Sequence, residues 1–279
     1  MLQLIRNKKS KKEILVNILT RTSNRPIGFY NCRQSIEKQT YKKIKHYVSY
    51  DNEEDIVYLD CTGVVKIKVE QYKGEVLVNP EGYLHAPYNL YCNELLNNVE
   101  DGWIMFLDDD DHLLHNKVIA EIVSEIKKTN EETLFIWQMR YPNGNVLPKH
   151  THFISRKIEI GNIDTTCFIF HSKYKNHIKW DQWKASDYRV INALYNIIPN
   201  KKWLERVYIQ KNNLGDYGNR NDISQNITNQ YLFRKNIFWF LIPKYHLQIN
   251  SIYIFQKKTY LQYWKRAKRK IKNLFKINK

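Results

Sequence analysis

Four consecutive aspartates, Asp108, Asp109, Asp110 and Asp111, follow directly on the apolar segment 103–107. A compact apolar segment predicts a strand buried in the middle of a sheet, and ligands of open α/β sheets bind just beyond the carboxyl ends of such strands. Carboxylates packed together at that edge repel one another unless a cation lies among them. Mg²⁺ and Mn²⁺ prefer oxygen ligands and bridge to phosphate oxygens. The pattern therefore predicts a divalent-metal and diphosphate site, with a structural acidic turn as the alternative.

The elements that must position these aspartates alternate along the first half of the chain between short β-rich segments and helical segments. This alternation is typical of an α/β fold with a mainly parallel central sheet and flanking crossover helices. Pro26 suits the first position of a helix. We predict strands at 14–19, 44–49, 64–69, 103–107, 134–139, 167–170 and 203–209, and helices from Pro26 onward and at 86–99, 116–128 and 185–197.

The net charge of +17 is concentrated at one end of the chain. Residues 223–279 contain 13 Lys and Arg and no Asp or Glu, whereas residues 1–222 carry 32 Lys and Arg against all 28 Asp and Glu. We therefore predict a main domain at 1–222 and a basic, aromatic-rich extension at 223–279. Apolar residues recur every three or four positions within 257–276, which predicts a cationic amphipathic helix. Such a helix either lies on an anionic membrane surface or packs on the domain.

Several other classes lack their sequence signatures. The four cysteines are scattered without a CxxC pair, which fits a reducing compartment rather than a zinc site or a disulfide framework. The chain contains no GxxxxGK[ST], GxGxxG, GxSxG or HExxH motif. No apolar run reaches the roughly 20 residues that span a bilayer, and the first residues do not resemble a signal peptide. We expect a cytoplasmic protein, which would contact a membrane peripherally if the helix of the extension lies on the membrane rather than on the domain.

Three segments together resemble family-2 glycosyltransferases, which have the GT-A fold. They are TRTSNRP after the first predicted strand, YDN after the second, and FLDDDDHL at 106–113. The likeness extends from about residue 13 to about residue 215 and is strongest at 101–114. It implies transfer of a sugar from a nucleotide-diphosphate donor, most commonly a UDP-sugar, with Mn²⁺ or Mg²⁺ as cofactor. The implied acceptor is a hydroxyl of a glycan, glycolipid or glycoprotein, and the implied stereochemistry is inversion.

The resemblance also assigns roles to residues. Asp110 would be the main metal ligand, and Asp108 would lie near the donor ribose or the metal. The residues that would contact the nucleotide-sugar are Thr20, Arg21, Thr22, Asp51, Asn89, Asp108 and Asp109. The segment 85–89 lacks an arginine that the family has beside its asparagine, so Arg21 or Arg25 would have to neutralise the diphosphate.

An inverting transferase also needs a base that takes the proton of the acceptor hydroxyl. Asp187 precedes the apolar helix predicted at 185–197 and resembles the family's acidic pair at a helix start. A helix cap formed by Ser186 or Asp187 is the alternative interpretation, and Asp164 and Asp181 are the other candidate bases. A third metal ligand could come from His150, His152 or His171.

Two other functions explain parts of this pattern. A retaining transferase or a nucleotidyltransferase on a related fold would use the aspartates and would not need Asp187. A nucleic-acid-binding protein would use the basic extension, with its aromatic residues stacking on bases. The second function leaves the four aspartates unexplained, because they repel phosphates unless a metal is bound. Nucleic acid is therefore the less favoured partner.

Overall fold

The computed structural model describes residues 13–73, 77–142 and 144–211. The predicted extension at 223–279, with its cationic helix, lies outside the described residues. So does the glycine-containing segment that follows residue 211. Among the helices that the structure describes, the longest have 12 residues, and none has the length and apolar character needed to cross a membrane.

The described residues form an α/β fold with nine strands in one sheet. The strands are β1 Val16–Thr22, β2 Ile44–Tyr50, β3 Val64–Lys68, β4 Trp103–Phe106, β5 Asp111–Leu113, β6 Thr133–Arg140, β7 Val146–Leu147, β8 Phe168–His171 and β9 Asn200–Lys211. The α-helices are α1 Pro26–Glu37, α2 Ile56–Leu59, α3 Tyr91–Asn97, α4 Val118–Ile126, α5 His150–Ile154 and α6 Ser186–Ile197. Short 3₁₀ helices occur at Glu53–Asp55, Pro87–Leu90 and Ser172–His177.

The first half of the chain forms the parallel part of the sheet, as its alternating pattern predicts. Strands β3, β2, β1 and β4 are neighbours in that order, and each pair is parallel. The second half makes the sheet mixed. Strand β8 lies antiparallel between β4 and β6, β9 runs parallel to β6, and β5 pairs antiparallel with β9. The sequence reading missed β5 and β7, because three and two residues are too few to show an alternating pattern.

The helices predicted from Pro26 onward, at 116–128 and at 185–197 are present within two residues of the predicted bounds, although Ile27 and Tyr30 of the first are exposed. Helix α1 begins at Pro26, as predicted, and buries Phe29, Cys32 and Ile36. Helix α4 buries five apolar residues on one face. The segment predicted as one helix at 86–99 instead begins with a 3₁₀ turn and continues as α3. Pro87 is the first residue of this turn, a position where its missing N–H costs no helical hydrogen bond.

The core of the described fold lies around strands β1, β4, β6 and β8. All four side chains of β4 and all four of β8 are buried, and seven of the eight in β6 are buried. Burial of each large apolar side chain contributes about 1.5–3 kcal/mol. The four cysteines are free thiols, of which Cys32, Cys92 and Cys167 are buried and Cys61 is half-buried.

Strands β1 and β4 end at the same edge of the sheet, and this sets the position of the acidic residues. Leu19 pairs with Phe106 in parallel register, and the Leu107 amide donates to the Leu19 carbonyl at 3.0 Å. The segment after β1 and the aspartates after β4 therefore emerge side by side. This is the arrangement that the sequence predicts for a ligand site.

Gly102 sets the start of β4. Its φ is +100°, and an added Cβ would lie 2.7 Å from the Leu15 carbonyl oxygen, which accepts from the Trp103 amide at 2.9 Å. Gly102→Ala should therefore lower the free energy of unfolding by about 2–4 kcal/mol, measured by urea denaturation. Gly82→Ala is the matched control, because Gly82 also has a positive φ but no atom lies within 4 Å of the added Cβ. Its cost should be only about 1 kcal/mol. Equal costs for the two variants would contradict this account of Gly102.

Candidate active site

A cavity of about 480 Å³ opens at the edge of the sheet where β1 and β4 end. It brings together every predicted site residue except Thr20. The predicted residues that line it are Arg21, Thr22, Asp51, Asn89, Asp108, Asp109, Asp110 and Asp187. Predicted residues from Arg21 to Asp187 therefore share one pocket.

Thr20 is placed differently from the prediction. Its side chain is fully buried, donates to the Leu107 carbonyl at 2.8 Å and lies 2.9 Å from His46 Nε2. Thr20 therefore does not reach the cavity. It ties β1 to the base of the acidic loop instead, because it lies two residues before the end of β1 and its hydroxyl is buried between the Leu107 carbonyl and His46.

The acidic loop is compact and nearly closed to solvent. The Asp111 amide donates to the Asp108 carbonyl at 3.0 Å, and Asp109, Asp110 and Asp111 are at most 5% exposed. Helix α1 lies against this loop, because an added Cβ at Gly28 would be only 3.1 Å from the Asp109 carbonyl oxygen. The small residue lets the helix and the loop approach this closely.

Two arginines, Arg21 near the end of β1 and Arg25 just after it, offset the negative charge of the loop. Arg21 lies 3.3 Å from Asp108, and Arg25 lies 2.9 Å from Asp109 and 3.9 Å from Asp110. Burial disfavours the Arg21 charge, but attraction by Asp108 and other neighbours outweighs burial and raises the pKa of Arg21 above its usual value. The same balance, with Asp109 as the main anion, raises the pKa of Arg25. Both side chains are therefore permanent cations at the mouth of the loop.

Arg21 also connects the acidic loop to the segment 85–89. It donates to the Asn89 side-chain oxygen at 2.6 Å, and its guanidinium lies 4.9 Å from the centre of the Tyr88 ring. Asn89 in turn donates to the Trp183 carbonyl at 2.9 Å. The structure thus places a cation from β1 beside Asn89, where the sequence of 85–89 supplies none.

Asp51 has one engaged oxygen and one without a partner. Its Oδ2 accepts from the Tyr91 hydroxyl at 2.7 Å. Its Oδ1 is buried and has no hydrogen-bond partner among the described residues. A buried acceptor without a partner costs free energy unless a ligand or water donates to it. Asp51 therefore offers an oriented acceptor in the wall of the cavity.

Asp187 lies in the first turn of helix α6 and does not cap it. The residue at the cap position is Ala185, with a φ of 65° and no side-chain capping bond. The Ser186 hydroxyl accepts from the Asp181 amide at 2.9 Å, and Asp187 Oδ1 accepts only from the next amide, that of Tyr188, at 2.8 Å. The alternative of a capping residue is thus not observed. Burial, aided by the nearby Asp164 carboxylate, raises the pKa of Asp187 to about 6, a value suited to a general base near neutral pH.

The other two candidate bases are engaged elsewhere. Asp181 forms an ion pair with Arg189, including a 2.6 Å bond between Arg189 Nη2 and Asp181 Oδ1. Asp164 lies 3.0 Å from the ammonium of Lys211. Among the three carboxylates considered as bases, Asp187 is therefore the one that lines the cavity without an ion pair to a described residue.

Three carboxylates converge closely enough to hold a metal ion, and only one of them, Asp108, was predicted as a metal ligand. Oxygens of Asp108, Asp111 and Asp164 all lie within 4.8 Å of one another. An all-carboxylate donor set suits Mg²⁺ or Mn²⁺, so these residues fit the expected cofactor. Asp110, predicted as the main ligand, lines the same cavity but is not in this group.

The histidines considered as metal ligands lie elsewhere. His171 pairs with Trp103 at the opposite end of β4 from the aspartates. His152 contacts Glu159 at 2.7 Å, and His150 is exposed. None of the three lines the cavity.

Lys211 is a site residue that sequence reasoning missed. It is the last residue of β9, which the sequence predicts to end two positions earlier, and it lines the cavity. Burial disfavours its charge, but attraction by Asp111, Asp164 and Asp108 outweighs burial and raises the pKa of Lys211 well above its usual value. An isolated lysine in a basic chain carries no sequence signal for this position.

The described fold is similar to several solved structures. Residues 1–349 of S. aureus TarS, bound to UDP, match 79% of this chain over 65% of that chain, with a TM-score of 0.57 and 16% identity. The same region bound to UDP-GlcNAc matches 79% of this chain over 66% of that chain, with a TM-score of 0.52 and 13% identity. The mannosyltransferase PcManGT from Pyrobaculum calidifontis, bound to GDP-Man and Mn²⁺, matches 81% of this chain over 65% of that chain, with a TM-score of 0.53 and 10% identity.

These likenesses confirm the GT-A fold for the described part of the chain. At such low identities they establish the fold alone, and this chain spans just under two thirds of the length of the structures it matches. No family model and no curated protein matches the sequence.

The buried aspartates should make stability depend on pH. Burial, together with the neighbouring Asp110 and Asp108 carboxylates, raises the pKa of Asp109 to about 7 in spite of Arg25. The folded state therefore binds this proton more tightly than the unfolded state, in which the pKa is about 4. The resulting stability is fully present below pH of about 4 and is lost as the pH rises to about 7.

We accordingly expect the stability of the natural protein, relative to Asp109→Asn, to fall by more than about 1 kcal/mol between pH 5 and pH 7.5. Urea denaturation in EDTA measures this difference. Asp60→Asn, which removes an exposed carboxylate that pairs with Lys66, is the control for the loss of one charge. A relative stability that stays constant or rises with pH would show that Asp109 is ionised throughout this range.

Proposed function

We propose that residues 1–222 form a metal-dependent, inverting glycosyltransferase domain, and that 223–279 is an extension to it. The donor is a nucleotide-diphosphate sugar, with UDP as the first carrier to test. The acceptor is a hydroxyl of a glycan, glycolipid or glycoprotein. The observation that carries this proposal is a single cavity lined by residues of the acidic loop, by two arginines and by Asp187, whose carboxylate forms no ion pair with a described residue.

The nucleotide side of the proposal rests on the residues around β1 and β2. The unpartnered oxygen of Asp51 is available to accept from the N–H of a base. Arg21 and Arg25 supply fixed positive charge for the diphosphate. The neighbouring structures bind UDP, UDP-GlcNAc and GDP-Man, which supports a nucleotide-sugar donor and leaves the base to be determined.

The metal side rests on the acidic loop. The sequence proposes Asp108 and Asp110 as metal ligands. Asp111 and Asp164 are two further candidates, because their oxygens converge with those of Asp108. A bound Mn²⁺ or Mg²⁺ would offset the charge that develops on the leaving diphosphate. Arg21 and Arg25 keep the loop closed before the donor binds and then face the incoming phosphates.

Asp187 is the proposed base. As an acceptor hydroxyl attacks the anomeric carbon, a carboxylate oxygen of Asp187 takes the hydroxyl proton, while the bond from that carbon to the diphosphate oxygen breaks. Attack from the side opposite the leaving group inverts the anomeric centre. A buried carboxylate with a pKa of about 6 is both ionised at neutral pH and basic enough to help.

The role of Asp187 can be tested by kinetics. Asp187→Asn should lower kcat by about 10²- to 10⁴-fold with little change in donor affinity, because the amide keeps the shape but cannot accept the proton. In the natural protein, kcat/KM should fall about tenfold per pH unit below pH of about 6, since protonation removes the base. Release of nucleoside diphosphate from the donor is the measured quantity. Near-normal turnover in Asp187→Asn would instead favour the retaining or nucleotidyltransferase alternative.

The donor site can be tested by calorimetry. UDP, GDP and dTDP are each titrated with and without Mn²⁺, and we expect one of them to bind in a metal-dependent way. Asp110→Ala should weaken that binding by at least about tenfold, because it removes a proposed ligand. Asp60→Ala, on an exposed residue that does not line the cavity, should bind normally. If no nucleotide binds under any condition, the transferase proposal is wrong and the basic extension becomes the first candidate for function.

A further inference from the structure

The ammonium of Lys211 lies where the carboxylates of the candidate metal site converge. Its Nζ is 3.0 Å from Asp164, 3.4 Å from Asp111 and 3.9 Å from Asp108. These are the same three residues whose oxygens lie within 4.8 Å of one another. Asp111 is fully buried, and Asp108, Asp164 and Lys211 have side chains at most 16% exposed.

This arrangement leaves no room for a second cation in the same place. A divalent ion held by these oxygens would lie about 2.0–2.6 Å from each of them. An ammonium within 4 Å of the same three carboxylates would then be in close contact with that ion. Two cations at such a distance repel strongly where water is largely excluded.

Lys211 differs in this respect from the other cations of the cavity. Arg21 and Arg25 bind Asp108 and Asp109 from the side of β1. Lys184 donates to the Tyr88 hydroxyl. Among the cations of the described residues, Lys211 is the one that contacts all three carboxylates of the cluster.

We propose that Lys211 is an internal counter-cation of this site, and that it and a divalent metal ion displace one another at Asp108, Asp111 and Asp164. The proposal rests on the proposed function, because it concerns the regulation of the same site. Without metal, the ammonium offsets part of the negative charge of the cluster and stays paired with the buried Asp111. When metal binds, the flexible four-carbon stem lets the ammonium leave the cluster.

The position of Lys211 in the cavity wall gives the displaced ammonium a new partner. A donor diphosphate in the same cavity is an anion that it can contact. Nucleotide binding should therefore favour the displaced state and tighten metal binding, and metal should tighten nucleotide binding by the same factor. Lys211 thus couples metal binding to the presence of the donor.

The test measures Mn²⁺ binding to the full chain without nucleotide, by electron paramagnetic resonance of free Mn²⁺. Lys211→Met, which keeps the length of the side chain and removes its charge, should bind Mn²⁺ at least about tenfold more tightly than the natural protein. Lys201→Met is the matched control. It removes one positive charge from the other end of β9, where the ammonium contacts the Tyr195 ring, and Mn²⁺ affinity should not change.

A second variant keeps the test valid if Lys211→Met does not fold. Lys211→Gln retains a hydrogen-bond donor for the buried Asp111 and should also bind Mn²⁺ more tightly. In either variant, Mn²⁺ should raise the melting temperature more than it does in the natural protein, because metal replaces the lost cation.

Unchanged or weaker Mn²⁺ affinity in both Lys211 variants would overturn the proposal and make Lys211 a structural partner of the carboxylates. This outcome is distinguishable from failure of the proposed function. If the protein binds a nucleoside diphosphate with Mn²⁺ but substitution of Lys211 leaves the Mn²⁺ affinity unchanged, only the role of Lys211 is contradicted and the proposed function stands. A weaker coupling between UDP and Mn²⁺ in Lys211→Met than in the natural protein, with both still binding, would support the role of Lys211 further.

Discussion

Repulsion among buried carboxylates at the end of β4 is the constraint on which the rest of this site depends. Two like charges 4 Å apart repel by about 4 kcal/mol at the effective dielectric constant typical of protein sites, and here four aspartates are consecutive, three of them buried. Cationic side chains from other elements of the fold reduce this repulsion. Arg21 comes from the end of β1, Arg25 from the segment after it, and Lys211 from the end of β9. A neutral or apolar surrounding would leave the loop protonated or unfolded.

The same constraint explains why the loop is so firmly held. Backbone hydrogen bonds and the Thr20 hydroxyl tie its start to β1. Helix α1 approaches within contact distance of it because residue 28 is glycine. Carboxylates fixed in this way cannot separate to relieve their repulsion. The free energy that they store is available to bind cations, which is the property that a diphosphate-binding site requires.

Local patterns were sufficient to predict most elements and the pocket, but not the partners across it. The apolar run before Asp108 predicted β4, and its carboxyl end predicted the ligand edge. Contacts between distant segments left no local signal. Asp111 and Asp164 meet Lys211, although these residues are 100 and 47 positions from it. The burial of Thr20 depended on its contact with the Leu107 carbonyl, 87 positions away in the chain. Sequence therefore located the site, whereas tertiary structure decided which carboxylates converge.

The central claim is that the acidic loop binds a nucleotide diphosphate through a divalent ion. The most direct measurement is anomalous diffraction at the manganese edge from crystals grown with UDP and Mn²⁺, with GDP and dTDP crystals if UDP does not bind. The account predicts one strong anomalous peak in the cavity, within bonding distance of carboxylates of the acidic loop and of the diphosphate oxygens. A nucleotide bound in the cavity with no manganese beside it would contradict the claim. So would manganese bound away from the aspartates.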